Sequence, residues 1–104
     1  MREVRLRPRA TKNLMSAYQW YRERGDADLA DKLLREAAEA HARLRSLAHA
    51  YQPIEYTPSG EPIRHMPFRN MPYMFVYVVD ADDVVQIFAC PHIRQQRSWR
   101  SGLH

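Results

Sequence analysis

Tyr73-Met74-Phe75-Val76-Tyr77-Val78-Val79-Asp80-Ala81-Asp82-Asp83-Val84-Val85-Gln86-Ile87-Phe88-Ala89-Cys90 is two apolar runs joined by an acidic turn. Both runs are rich in β-branched and aromatic side chains, which predicts strands at Tyr73–Val79 and Val84–Cys90. Asp80-Ala81-Asp82-Asp83 then closes them as a hairpin. The first run is almost wholly apolar, so it reads as the central strand of a sheet. Pro91 has no N–H to donate to a ladder and ends the second run. A further strand signal lies just upstream, at Pro62–Pro67. A hairpin this apolar belongs in a core.

Working outward, Val4 and Leu6 alternate with Glu3, Arg5 and Arg7, the period of a short half-buried strand. Pro8 stops that strand and is well suited to open a helix at its first turn. From Arg9 to Arg24, Leu14, Ala17, Tyr18 and Tyr21 recur at helical spacing, and Gly25 is a good terminator. Asp26 or Asp28 can cap a second helix, which Ala30, Leu33, Leu34, Ala37, Leu44 and Leu47 extend to about Ala50. Hardly any chain joins the two, so an antiparallel helical hairpin is expected, with His41 as a packed spacer on or beside its seam. Gln52–Glu61, with Pro53, Pro58 and Gly60, reads as a loop. The order is β-α-α-β-β-β. It predicts an α+β fold in which a small antiparallel β-sheet carries an N-terminal helical hairpin packed on one face, with residues 1–104 forming a single domain.

A chain of 104 residues that is 45% hydrophobic can bury a core without disulfides or metal, and disorder is not expected. The one cysteine, Cys90, excludes an internal disulfide framework and a cysteine-rich zinc site, and fits a reducing compartment. No apolar stretch is long enough to span a membrane, and Met1-Arg2-Glu3 starts no signal peptide, so the expected location is cytoplasmic. His41, His49, His65, His92 and His104 lack metal-ligand spacing, so neither a metal nor a cofactor is expected. Fourteen of the 16 basic residues are arginine, whose planar fork suits phosphate and carboxylate. Acidic residues concentrate between Glu23 and Glu39, and none follows Asp83. Arg2 to Lys12 and Arg94 to Arg100 are mostly basic, and side by side they would make one positive surface.

The element order, with these residues in it, resembles the RelE/ParE superfamily of bacterial type II toxin–antitoxin toxins over nearly the whole chain. Val4-Arg5-Leu6-Arg7-Pro8-Arg9-Ala10 is similar to the family's opening strand and helix start, and Tyr18 and Tyr21 fall where its first helix often carries aromatics. Arg64 before Pro67, Arg69, then Tyr73 and Tyr77, the Asp80–Asp83 turn, Val85-Gln86-Ile87, and finally His92 and Arg94 resemble the family's C-terminal half. Trp99 lies in a tail that some members share. Many ParE-like members place consecutive arginines after the histidine; here the order is Arg94-Gln95-Gln96-Arg97. No lysine or tyrosine follows His92, unlike the usual RelE-like nuclease, and the lysine-rich surface of those nucleases is missing, which tips the resemblance narrowly toward the ParE-like branch.

The resemblance implies a growth-inhibiting toxin of the plasmid-stabilisation type, neutralised by a cognate antitoxin. In the ParE-like branch it would act on DNA gyrase without catalysis, with Arg94, Arg97, Trp99 and Arg100 supplying a basic, aromatic contact surface. In the RelE-like alternative it would be a ribosome-dependent mRNA endoribonuclease. His92 would then move protons, and Arg64, Arg69 and Arg94 would hold phosphates. Whether it is an enzyme turns on that choice. A further alternative is a non-catalytic nucleic-acid-binding module, with basic ends and strand tyrosines holding a single strand. No membrane and no small-molecule substrate is implied. Structural roles are also open: ion pairing for Arg64 and Arg69, sheet packing for Tyr73 and Tyr77, and adaptable packing for Met66, Met71 and Met74 as one cluster.

Overall fold

A computed structural model describes residues 1–95. Strand β1 (Val4–Leu6) leads into helix α1 (Pro8–Glu23) and helix α2 (Ala27–Leu47). Four more strands follow: β2 (Pro53–Tyr56), β3 (Pro62–Pro67), β4 (Met74–Val79) and β5 (Val85–Ala89), and then a 3-10 turn at Ile93–Gln95. The strands form one sheet in the order β1-β5-β4-β3-β2. The α+β architecture and the helical hairpin on one face are as predicted from sequence.

Two details differ. The segment expected to be a loop holds β2, which pairs antiparallel with β3 along its edge. Pro53 is tolerated there because it is the first residue of an edge strand, where no ladder bond depends on its missing N–H. The sheet is also mixed rather than wholly antiparallel. β1 runs parallel to β5, with Val4 beside Val85 and Leu6 beside Ile87. A parallel neighbour requires a crossover, and here the chain from α1 to β4 supplies it.

The local chemistry explains the element ends. Pro8 occupies the first turn of α1, and Gly25, at φ 75°, takes the left-handed conformation that ends it. Asp26 caps α2 by accepting from the Leu29 N–H at 3.3 Å. In the hairpin turn, Asp80 Oδ1 accepts from the N–H groups of Asp82 and Val84 at 2.9 and 3.0 Å. Its Oδ2 accepts from the Gln86 amide at 2.9 Å. These bonds hold the Asp80 carboxyl below its usual pKa, the Gln86 bond being the largest cause. Asp83 sits at φ 61°, a region that aspartate visits more readily than most side chains.

The main core lies between the helices and the sheet. Leu14, Leu33 and Leu44 meet Met66, Phe75, Tyr77 and Ile87 there. Each large apolar side chain buried in this way stabilises the fold by about 1.5–3 kcal/mol. Tyr77 is wholly buried, and its hydroxyl donates to the Ala48 carbonyl at 2.6 Å, just past the end of α2. The opposite face of the sheet carries a smaller cluster of Ile63, Met74, Val76 and Ala89. The three methionines are therefore divided. Met66 pairs with Phe75 and joins the helix side with Met71, while Met74, one residue out of phase, points the other way.

β1 is tied down along its outer side. His41 Nε2 lies 3.3 Å from the Val4 carbonyl, and the Arg2 N–H donates to the Arg45 carbonyl at 2.9 Å. His41 thus makes its contact with β1. No helix among the described residues is long and apolar enough to cross a membrane.

Candidate functional site

α1 is pinned to the chain leaving β5 by one side chain: Asn13 Oδ1 accepts the Cys90 N–H at 3.0 Å. Beyond Cys90 the chain keeps close to the start of β4. The Pro91 carbonyl accepts from the Met74 N–H at 3.2 Å, His92 bridges to Tyr73, and the Ile93 N–H donates to the Pro72 carbonyl at 2.8 Å. Pro91 ends the ladder proper, but the strand direction carries on past it. Between this segment and α1 lies an open cleft of about 540 Å³.

A stripe of α1 at helical spacing, Arg9, Asn13, Ser16 and Trp20, forms one wall of the cleft, while Tyr73, His92 and Arg94 line the other side. The aromatic rings form a continuous series. Trp20 meets Tyr21 at 5.1 Å between centroids, Tyr21 meets Tyr73 at 6.4 Å, and Tyr73 meets His92 at 5.2 Å, all edge to face. That is the favoured geometry for neighbouring rings. The series begins in solvent, since Trp20 is 49% exposed, with the Arg24 guanidinium 3.8 Å above its ring. It passes through buried Tyr73 to half-buried His92.

The electrostatics of the site follow from burial. Burial pushes the Tyr73 hydroxyl well above its ordinary pKa, and its hydrogen-bonding contact with Tyr21 adds to the effect. Burial likewise pushes the Cys90 thiol up to about 12, which makes it a poor nucleophile. His92 Nδ1 accepts the Arg94 backbone N–H at 3.0 Å. An accepting nitrogen carries no proton, so the neutral ring presents its N–H at Nε2. No acidic side chain lines the cleft among the described residues. It is built to receive negative charge.

The residues singled out from sequence are divided between regions. His92 and Arg94 both line the cleft. Arg69 lies exposed in the loop after β3, where the neighbouring Asn70 N–H is held by buried Glu36 on α2 at 2.7 Å. Arg64 is elsewhere: it pairs with Tyr77 across the sheet, and its Nε donates to the Tyr51 carbonyl at 2.9 Å. Tyr77 stands four residues along β4 from Tyr73, which at about 3.3 Å per residue is roughly 13 Å from the His92 bridge. Arg97, Trp99 and Arg100 lie outside the described residues.

Sequence reasoning missed Arg9, Asn13 and Trp20 as site residues. Their spacing on α1 was a usable signal, because it marks a second face beside the apolar one. Tyr73 and Tyr77 share one face of the sheet, and both belong to the helix-side core.

Comparison with known proteins bears on this geometry. The model of the family described as "ParE toxin of type II toxin-antitoxin system, parDE" matches residues 4–97. A solved structure described as "Chromosomal ParDE TA system from P. aeruginosa" superposes with a TM-score of 0.72 at 17% identity, covering 88% of this chain and 96% of that one. At that identity the likeness speaks for the fold. No curated protein matches the chain in sequence. The family match runs from β1 through the cleft's far rim and so takes in every described element of the fold. The chain belongs to the ParE toxin family of type II toxin–antitoxin systems.

Proposed function

We propose that the protein inhibits growth by acting on DNA gyrase without catalysis of its own, and that a cognate antitoxin neutralises it. Arg64 carries this reading. A nuclease of the RelE kind needs its phosphate-holding arginines gathered around the group that moves the proton. Arg64 is instead bound to the Tyr51 carbonyl, roughly 13 Å along the strand from His92. The buried, pKa-raised Tyr73 and Cys90 beside His92 are likewise ill suited to proton transfer or attack near neutral pH. Membership of the ParE toxin family supports the same reading.

Arg94 at the rim of the cleft, followed in the chain by Arg97, Trp99 and Arg100, is the proposed contact with gyrase, because Arg and Trp dominate interface energetics. The antitoxin would cover apolar surface on the helical hairpin, where Met15, Trp20 and Leu47 are exposed. The experiment is a supercoiling reaction with gyrase and purified toxin. Supercoiling should fall and cleaved DNA accumulate, and co-purified antitoxin should restore the reaction. Normal supercoiling, together with cleavage of ribosome-bound mRNA, would establish the nuclease instead.

A further inference from the structure

The cleft holds more chemistry than a protein contact requires. Among the described residues its lining pairs cations with aromatic rings and includes no acid. Arg9 and Arg94 stand on opposite sides of it, and the Nε2–H of His92 supplies a donor between the rings and the rim. Trp20 and Tyr21 offer ring surface at its open end, while Tyr73 closes the floor. Its volume of about 540 Å³ falls in the range that takes a small ligand unit rather than a folded element. Bidentate arginines suit a phosphodiester, and ring faces suit a base of any identity. A carboxylate-bearing peptide would use the cations and leave the rings without a role.

We infer that this cleft binds one nucleotide unit of a single nucleic-acid strand, with the phosphate between Arg9 and Arg94 and the base against Trp20 and Tyr21. The inference does not depend on gyrase being the target. The supercoiling assay and the binding assay below can therefore succeed or fail separately. The site reads no sequence, because its polar groups face the backbone charge, and stacking accepts every base. The Asn13–Cys90 bond keeps the two walls at a fixed separation, so the site exists before the ligand arrives.

The test is fluorescence anisotropy with the full-length chain and a labelled oligothymidylate of about ten nucleotides, a length in the usual range for single-strand sites. The wild type should bind, and more tightly than thymidine monophosphate by about tenfold or more, since a strand brings additional phosphates. Arg9→Ala combined with Arg94→Ala should weaken binding and flatten the logarithmic salt dependence by about 0.7, one phosphate's worth. Trp20→Ala should cost about tenfold with the salt slope unchanged. Arg35→Ala, an exposed arginine on α2, should change neither. Trp20 and Arg94 are exposed, so their variants should keep the wild-type circular dichroism. The inference is overturned if the oligonucleotide does not bind, or if the monophosphate binds as well as the strand. It is equally overturned if the Arg35 variant loses as much as the cleft variants, or if polyglutamate displaces the probe as readily as unlabelled strand.

Discussion

Removing one oxygen atom tests how the helical hairpin is fastened to the sheet. Tyr77 is wholly buried in the middle of β4, and its hydroxyl reaches the carbonyl of Ala48, itself fully buried, at 2.6 Å. Tyr77→Phe keeps the ring and opens no cavity, so the packing contribution is unchanged. What is lost is one hydrogen bond, and the Ala48 carbonyl is left in a dry environment without that donor. A buried acceptor stranded in this way costs about 1–3 kcal/mol, more than the net value of an ordinary hydrogen bond. Taking the middle of that range, about 2 kcal/mol, the melting temperature of a domain this size should fall by roughly 8–16 °C. Urea denaturation followed by far-ultraviolet circular dichroism should show a lower midpoint at an unchanged slope. Tyr77→Leu, which also removes ring volume, should cost more, about 3–5 kcal/mol, through the cavity it leaves. If Tyr77→Phe shifts stability by less than about 0.5 kcal/mol, the size of an ordinary surface change, then the bond to Ala48 does not fasten the hairpin and the reasoning fails.

Burial holds the hydroxyls of Tyr73 and Tyr77 well above the ordinary tyrosine value. The folded state therefore keeps protons that the unfolded state gives up, so stability should decline as pH rises above about 10, with both groups ionising only as the chain unfolds. Absorbance titration should show them as a late, cooperative step among the six tyrosines. Asp80 has the opposite sign: its lowered pKa means that its contribution is present at neutral pH and lost as pH falls below the ordinary aspartate range. Asp80→Ala should thus destabilise the protein at pH 7, and the loss should shrink as pH falls below the ordinary aspartate range, by comparing denaturation midpoints. Cys90, its thiol pushed up to about 12, should react with a thiol reagent at pH 8 only at the rate of unfolding, and immediate labelling would contradict its burial.

The hairpin of β4 and β5 was legible because period, residue type and turn chemistry agree over a short stretch. The acidic turn was legible too, although only the structure shows that a single carboxylate, Asp80, accepts three of its hydrogen bonds. β2 was hidden because its four residues lie among prolines, and an edge strand needs few favourable residues when a neighbour supplies the pairing. The parallel docking of β1 had no local signal, since Val4 and Val85 meet only through the tertiary fold. The cleft was half legible. His92 and Arg94 stood out by residue type, but Arg9, Asn13 and Trp20 become partners only once α1 lies beside Cys90 and His92. Arg64 shows the reverse limit: its place before the hairpin suggested the same site, while strand pairing carries it beside Tyr77 and away from the cleft.

The parallel seating of β1 bears on how the toxin comes into being on the ribosome. β1 is made before the other described strands, yet among them its neighbour is β5, which is made last. Until Val85–Ile87 emerge, Val4 and Leu6 have no place in the sheet and β4 lacks one of its two neighbours. Folding of the sheet must therefore wait for long-range pairing with β5, the slow kind of closure. A messenger cut short upstream of β5 yields a chain with an open sheet and no cleft, because Cys90, His92 and Arg94 are also missing. The toxin's sheet and its cleft are thus completed together, once β5 and the segment after it are made.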